Sequence, residues 1–264
     1  MPCRLFTSGT SSTRQLLGAV ITLYFCLACM SVAAETAGDN ILYYDQGVEG
    51  RWVPYQRGVV AGTPGVFQQM TDAISRHVDI SFKTVNFPAK RSQKAMKDGL
   101  IDLEFISLEW LPGGEAGEAY VVSEPLFKVN EYVVTLQGNQ HLFPNRQAYY
   151  GRILGTIAGY YYFDDHKFQR EDFLTESLLI QGLKRDRFKG AILERETAKF
   201  WASVHKADIA FATLHTEGVL RIRLQKDKAH WLALINQGIA AIKARGELTT
   251  ILEDHGIDPA VIIE

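Results

Sequence analysis

"NFPAKRSQKAMKDGLIDLEF", residues 86–105, decides the fold class. It begins on the tail of an extended stretch, "DISFKTVNF" from Asp79 to Phe87, in which Ile80, Phe82 and Thr84 fall on one face. Pro88 is then well placed to open a helix, Arg91, Ala95 and Asp98 recur at spacings of three and four, and Gly99 supplies a C-terminal stop. "LIDLEFISL", Leu100 to Leu108, returns to an apolar strand. Strand, helix and strand within about thirty residues is the unit that builds a parallel sheet covered by helices.

The same alternation extends in both directions. Upstream, "NILYYD" (Asn40 to Asp45) predicts a first strand, and "GRWVPYQ" (Gly50 to Gln56) a loop that offers Trp52 and Tyr55. In "GTPGVFQQMTDAISRH" the pattern predicts a helix with Thr63 as N-cap and Pro64 at its first position, and Val66, Met70, Ala73, Ile74 and His77 recur at helical spacing. Downstream, "EYVVTL" (Glu131 to Leu136) and "GRILGTIA" (Gly151 to Ala158) read as strands. The stretch from Lys167 to Gly190 is mixed, with "DFLTESLLIQGL" readable as a helix. "ERETAKFWASVHK" predicts a firmer helix, "ADIAFATL" a strand, and "AHWLALINQGIAAIKARG" a long amphipathic helix capped by Gly246 before "ELTTILEDHG". Two sets of alternating elements predict two α/β lobes, with links near Leu126–Glu131 and Ala212–Gly218.

Composition narrows the class of function. The chain has 264 residues, 47% of them hydrophobic and 22% charged, which is ordinary for a folded globular protein. Arg4 and Arg14 precede the apolar run Leu16 to Met30, and the small residues of "SVAAE" follow, so residues 1–34 read as a secretory signal peptide cut after Ala33 or Ala34. An uncleaved N-terminal anchor is the alternative, although the run is short for a bilayer span. A lipid anchor at Cys29 is disfavoured because Cys26 stands where a lipobox wants Leu, Val or Ile. Cys3, Cys26 and Cys29 all lie upstream of the cut, so the processed chain has no disulfide, thiolate nucleophile or sulfur-ligated metal. Removing those residues removes two arginines and no acid, which takes the net charge from −2 to −4. Such a balance argues against a nucleic-acid partner. The histidines show no metal-ligand spacing, and the glycines form no phosphate-cradling or dinucleotide motif. The reading therefore includes no metal and no cofactor.

With these elements in order, the chain resembles the extracellular solute-binding proteins of family 3, the periplasmic polar amino-acid-binding type. "PGVFQQMTDAI", "NFPAKRSQKAMKDGLIDLEF", "SEPLF", "GRILGTIAGYYY", "KADIAFATL" and "HWLALINQGIAAIKARGELTTIL" carry the likeness over about 220 residues. The resemblance implies a type II periplasmic-binding-protein fold, with two lobes, two hinge strands and C-terminal helices that return to lobe one. Lobe one would comprise 35–127 and 216–264, and lobe two 128–215. It further implies a periplasmic monomer that binds a small polar solute, amino-acid-like or an organic acid, for uptake by an ABC permease. The alternative is a sensory or orphan binding protein. No enzyme activity is implied, except that some relatives dehydrate cyclic acids; that rival would need an acid and a base, with Glu109 and either Asp164 or His215 as loose candidates.

One departure bears on the ligand. Relatives that bind amino acids often carry an arginine, after the "G-x-x-D" strand, that pairs with the ligand carboxylate. Here that segment, Leu108 to Phe127, has no arginine or lysine and holds Glu109, Glu115 and Glu118. Arg91, matching a recurrent family arginine near the cleft, is the candidate replacement, at a helix start that favours anions. Tyr44, Trp52 and Tyr55 are candidates for stacking on a ligand, or for plain hydrophobic cover. Glu109 and Trp110 follow a strand end, the usual ligand edge of an open α/β sheet. In "TIAGYYYFDD", Thr156 is a polar contact candidate. Tyr160 and Tyr161 are the aromatic ones, since three consecutive tyrosines cannot face one way. Asp164 and Asp165 read as turn or helix-start residues, Asp208 as a hydrogen-bonded residue near a hinge, and Thr213 and His215 as groups at the cleft edge.

Overall fold

The computed structural model describes residues 40–49, 51–58, 62 and 64–264. The expected signal peptide and cleavage site, the three cysteines and the proposed Thr63 cap lie outside the described residues. The first half contains β1 (Ile41–Asp45), helix α1 (Val66–Ser75), β2 (Ser81–Val85), α2 (Ala89–Lys97), β3 (Leu103–Ser107) and β4 (Tyr120–Val122). β5 (Lys128–Leu136), β6 (Ile153–Ile157), β7 (Gln169–Phe173), α3 (Glu176–Lys184), β8 (Ala191–Glu194) and α4 (Arg195–His205) follow. The long β9 (Ile209–Gln225) then leads to α5 (Leu232–Ala244) and α6 (Glu247–Asp254).

The strands run in the order β2-β1-β3-β9-β5-β8-β6-β7, with β4 beside β9. β1 is parallel to β2 and β3, and β6 is parallel to β7 and β8. β9 is shared: Leu220–Leu224 pair antiparallel with β3, while Ile209–Val219 pair antiparallel with β5. It thereby joins two halves, each a parallel sheet covered by helices. The link expected at Ala212–Gly218 is therefore a continuous strand.

Each half has its own core. Val66, Phe67, Met70, Ala73 and Ile74 bury one face of α1 against Leu42, Leu103 and Phe105. The same core takes Ile235, Ile239 and Ile242 from α5 and Leu248 and Leu252 from α6, so the C-terminal helices do return to the first half. The second core gathers Val134, Ile157, Leu179, Ile180, Leu183, Phe188 and Leu193. Gly155 lies at its tightest point, where an added Cβ would come within 2.6 Å of both Phe188 and Leu179.

Two local expectations need correction. α1 starts at Val66 with Gly65 as its N-cap, so Pro64 precedes the helix. "DFLTESLLIQGL" divides: Asp172 and Phe173 end β7, and the helix begins at Glu176 behind a Thr175 cap that accepts from Leu178 N. β7 escapes the period-two test because it is an edge strand with an irregular exposure pattern. β8, fully buried, is too short to show any period.

Candidate functional site

A cavity of about 880 Å³, its mouth included, opens between the two halves. The first half contributes Asp45 at the end of β1, Arg51, Trp52 and Gln56 from the following loop, Ser92 and Gln93 from α2, and Trp110 after β3. The second half contributes Glu131 on β5, Gly159 to Tyr161 after β6, Glu176 at the start of α3, and Glu194 at the end of β8. Most of these follow the carboxyl ends of parallel strands, where loops diverge and leave a crevice.

Arg51 organises one wall. Its guanidinium lies 3.4 Å from Asp45 Oδ2, donates to Phe87 O at 3.1 Å and reaches across to Tyr160 Oη at 3.4 Å. Asp45 Oδ1 also accepts from the amides of Gly47 and Phe87, each at 2.8 Å. The Tyr160 hydroxyl in turn donates to Glu176 Oε1 at 2.6 Å. Burial would pull the Arg51 pKa down, but the neighbouring Tyr160, Glu176 and Asp45 outweigh it and hold the guanidinium charged. Two more contacts cross the cavity: Tyr55 Oη donates to Glu194 Oε1 at 3.2 Å, and Trp201 Nε1 donates to Arg51 O at 2.9 Å. Trp52 packs edge-on against Trp110 with ring centroids 5.5 Å apart.

The second wall is acidic. β5 and β8 place Glu131 directly opposite Glu194, and both line the cavity. Register shifts in the β5–β9 pairing flank Tyr132, next to Glu131; such irregularities re-aim side chains beside functional sites. Glu194 also caps α4, its Oε2 accepting from Thr197 N at 2.9 Å. Burial pushes the Glu194 carboxyl up to about 7 and raises Glu176 as well. Behind Glu131, His215 Nδ1 lies 3.4 Å from its Oε2, while His215 Nε2 lies 3.0 Å from Asp164. Burial lowers the His215 pKa, but the hydrogen bond to Asp164 and the nearby Glu131 carboxylate outweigh it and leave it raised.

These shifts set a pH dependence. A carboxyl whose folded pKa is raised keeps its proton in the native state while the unfolded chain has already lost it, so stability falls as pH rises across that window. For Glu194 the window runs from the ordinary 4.5 to about 7, worth about 3 kcal/mol on 1.36 kcal/mol per pKa unit. The raised His215 acts in the same direction, its contribution being lost as pH rises through its folded pKa. Thermal unfolding of the unliganded chain should therefore give a higher Tm near pH 5 than near pH 8. Glu194→Gln should flatten most of that slope, and an unchanged slope would show that Glu194 ionises normally.

Four of the residues singled out in the sequence meet at the cavity: Trp52, Trp110, Tyr160 and Tyr161. The other five do not line it. Tyr44 is 1% exposed in the first core, bonded to Thr71 and Gln46. Tyr55 is equally buried and reaches the site only through Glu194. Thr156 donates to Asp172 Oδ1 at 2.7 Å, away from the cavity. Arg91 is exposed on α2. Glu109 is exposed, its carboxylate taking Ser107 Oγ and, at 3.1 Å, Val219 N. Thr213 and His215 do not edge the cavity either: Thr213 bonds Phe143 O, and His215 is fully buried. Asp208 is exposed, and its carbonyl accepts from Gln137 N. Sequence reasoning missed Arg51, Glu131, Glu176 and Glu194; the one available signal was Arg51, adjacent to Trp52 in the loop already read as offering candidates for stacking on a ligand.

No family model and no curated protein matches the chain. Solved structures do. A substrate-binding protein of an ABC uptake transporter from Streptococcus pneumoniae, with bound histidine, superposes with a TM-score of 0.68 at 16% identity, covering 85% of this chain and 95% of that one. A mutant of ArgBP from T. maritima gives 0.67 at 16% identity, with 82% and 95% covered. The GluR0 ligand-binding core from Nostoc punctiforme, in complex with L-glutamate, gives 0.66 at 16% identity, with 81% and 98% covered. The chain has the two-lobed fold of these binding proteins.

Proposed function

We propose that this chain is an extracytoplasmic binding protein that closes over one small polar solute and presents it to an ABC permease. Lobe one is taken as 35–127 and 216–264, and lobe two as 128–215. The observation that carries this reading is the cavity itself, walled by both halves, which are bridged by Arg51 to Tyr160, Tyr55 to Glu194 and Trp201 to Arg51. Groups from both walls can engage one ligand only when the halves are together, so ligand binding favours the closed arrangement. The neighbours' bound histidine and glutamate add support for a small polar occupant. Among the described residues no helix is long and apolar enough to cross a membrane. The carboxylates once paired as a possible acid and base are occupied elsewhere, Glu109 with Ser107 and Val219, and Asp164 with His215 and Tyr149. Neither therefore supplies an acid and base pair at the cavity.

A thermal-shift panel of amino acids, organic acids, amines and polyols tests this, followed by mass spectrometry of the recovered compound. At a hundredfold excess over Kd a single-site ligand stabilises by about 2.7 kcal/mol, which for a chain of this size raises Tm by roughly 5–10 °C. Recovery of a chemically altered compound would overturn pure binding.

A further inference from the structure

We propose that the solute is a small organic cation, an ammonium or guanidinium compound without a carboxylate, held by Glu176 and Glu131 within the aromatic frame of Trp52, Trp110 and Tyr160. This rests on the solute-binding reading and names the class of solute.

Charge counts first. Among the described residues, five carboxylates line the cavity, those of Asp45, Glu104, Glu131, Glu176 and Glu194, against a single cationic side chain, Arg51. Three of the five have a cationic partner: Asp45 has Arg51 at 3.4 Å, Glu131 has His215 at 3.4 Å, and Glu104 has Arg223, which donates to it through Nε at 2.9 Å and also through Nη2. His215 approaches Glu131 only from behind. Acidic side chains remain in surplus on the wall formed by the second half.

Unmet hydrogen-bonding capacity comes second, and it is independent of the charge count. Glu176 is 1% exposed, its Oε1 accepts from Tyr160, and its Oε2 has no hydrogen-bond partner. Glu131 is 6% exposed, and its Oε2 likewise has no hydrogen bond, His215 Nδ1 standing off at 3.4 Å. Gln56 leaves Oε1 unpartnered as well. Buried acceptors without donors are costly, and two of them at one cavity, Glu176 Oε2 and Gln56 Oε1, fit a ligand rich in N–H donors.

The lone lining cation does not suit a carboxylate. The terminal nitrogens of Arg51 already serve Asp45, Phe87 O and Tyr160, leaving only Nε unpartnered. A ligand carboxylate brought to Nε would also approach Glu176, whose charge acts on the same guanidinium. The bidentate grip that makes arginine a carboxylate receptor is thus unavailable. Trp52, Trp110 and Tyr160 instead line the same cavity, and an aromatic ring face attracts a cation.

Isothermal titration of the full chain with agmatine, putrescine, glutarate and xylitol tests the inference. Agmatine or putrescine should bind and glutarate should not. Glu176→Gln keeps an acceptor for Tyr160 but removes the charge, and should weaken cation binding by about tenfold or more. Glu131→Gln is the second variant, with unfolding curves confirming that each one folds. A panel in which the tightest binder carries no positive charge, or cation binding indifferent to both substitutions, overturns the inference and leaves the solute-binding reading intact. A chain that binds nothing in the wider panel overturns both.

Discussion

Gly159→Ala is expected to weaken solute capture by about 30-fold while leaving the two cores intact. Gly159 has φ +93°, and a Cβ placed there would come within 2.6 Å of Lys90 N and 2.7 Å of Lys90 Cα. Those atoms belong to the first turn of α2, on the opposite side of the cavity. Backbone cannot swing aside as a flexible side chain can, so the clash must be relieved by moving the halves apart. The Gln93 side chain, which donates to Gly159 O across the same contact, would lose its partner. Overpacking of this kind costs typically 1–3 kcal/mol; about 2 kcal/mol charged to the closed form alone is about 30-fold in apparent Kd. Titration with the best solute reads the affinity, and small-angle scattering at saturation should show a radius of gyration above that of the liganded parent. An affinity within about twofold of the parent would mean that this contact is not part of closure.

The second large effect falls on stability. Arg51→Met should lower Tm by roughly 6–12 °C, from a loss of about 3 kcal/mol. The substitution removes one partner of a buried ion pair whose side chains are 5% and 4% exposed, together with the bonds to Phe87 O and Tyr160. Asp45 keeps two amide donors, which places the loss at the low end of the range for a broken buried pair. Arg51→Met with Asp45→Asn should therefore recover part of the loss, because the uncompensated charge is gone. If Arg51 instead serves as a carboxylate receptor, the single variant would lose binding with little change in Tm, and the double variant would recover nothing.

The alternation of strands and helices was legible because α1, α2, α4 and α5 bury one face at helical spacing, and because glycines mark ends, as Gly99 and Gly246 do with φ near +70°. The triple tyrosine was legible too: Tyr160 and Tyr161 line the cavity, while Tyr162 is buried in a separate cluster of the second half with Phe143, Tyr149 and Leu154 and accepts from Ile157 N. The acidic wall was not. Glu131 and Glu194 meet only through antiparallel pairing of β5 with β8, and no local period links them. Glu176 looks like an ordinary first-turn acid behind a threonine cap; only the packing of Tyr160 against it shows that it faces the cavity. Arg91 and Arg51 illustrate the same limit. Helix-start position favoured Arg91 for an anion, yet its side chain lies in solvent, whereas the loop residue Arg51 is drawn into the cavity wall by Asp45 at the end of β1.

The most direct measurement is a crystal structure of the chain with the tightest-binding solute of the panel. The expected result is one solute molecule between Trp52, Trp110 and Tyr160, with a donor on Glu176 Oε2 and both halves in contact with it. A solute bound on the outer surface of either half, touching neither Arg51 and Trp52 nor Tyr160 and Glu176, would contradict the assignment of this cavity as the binding site.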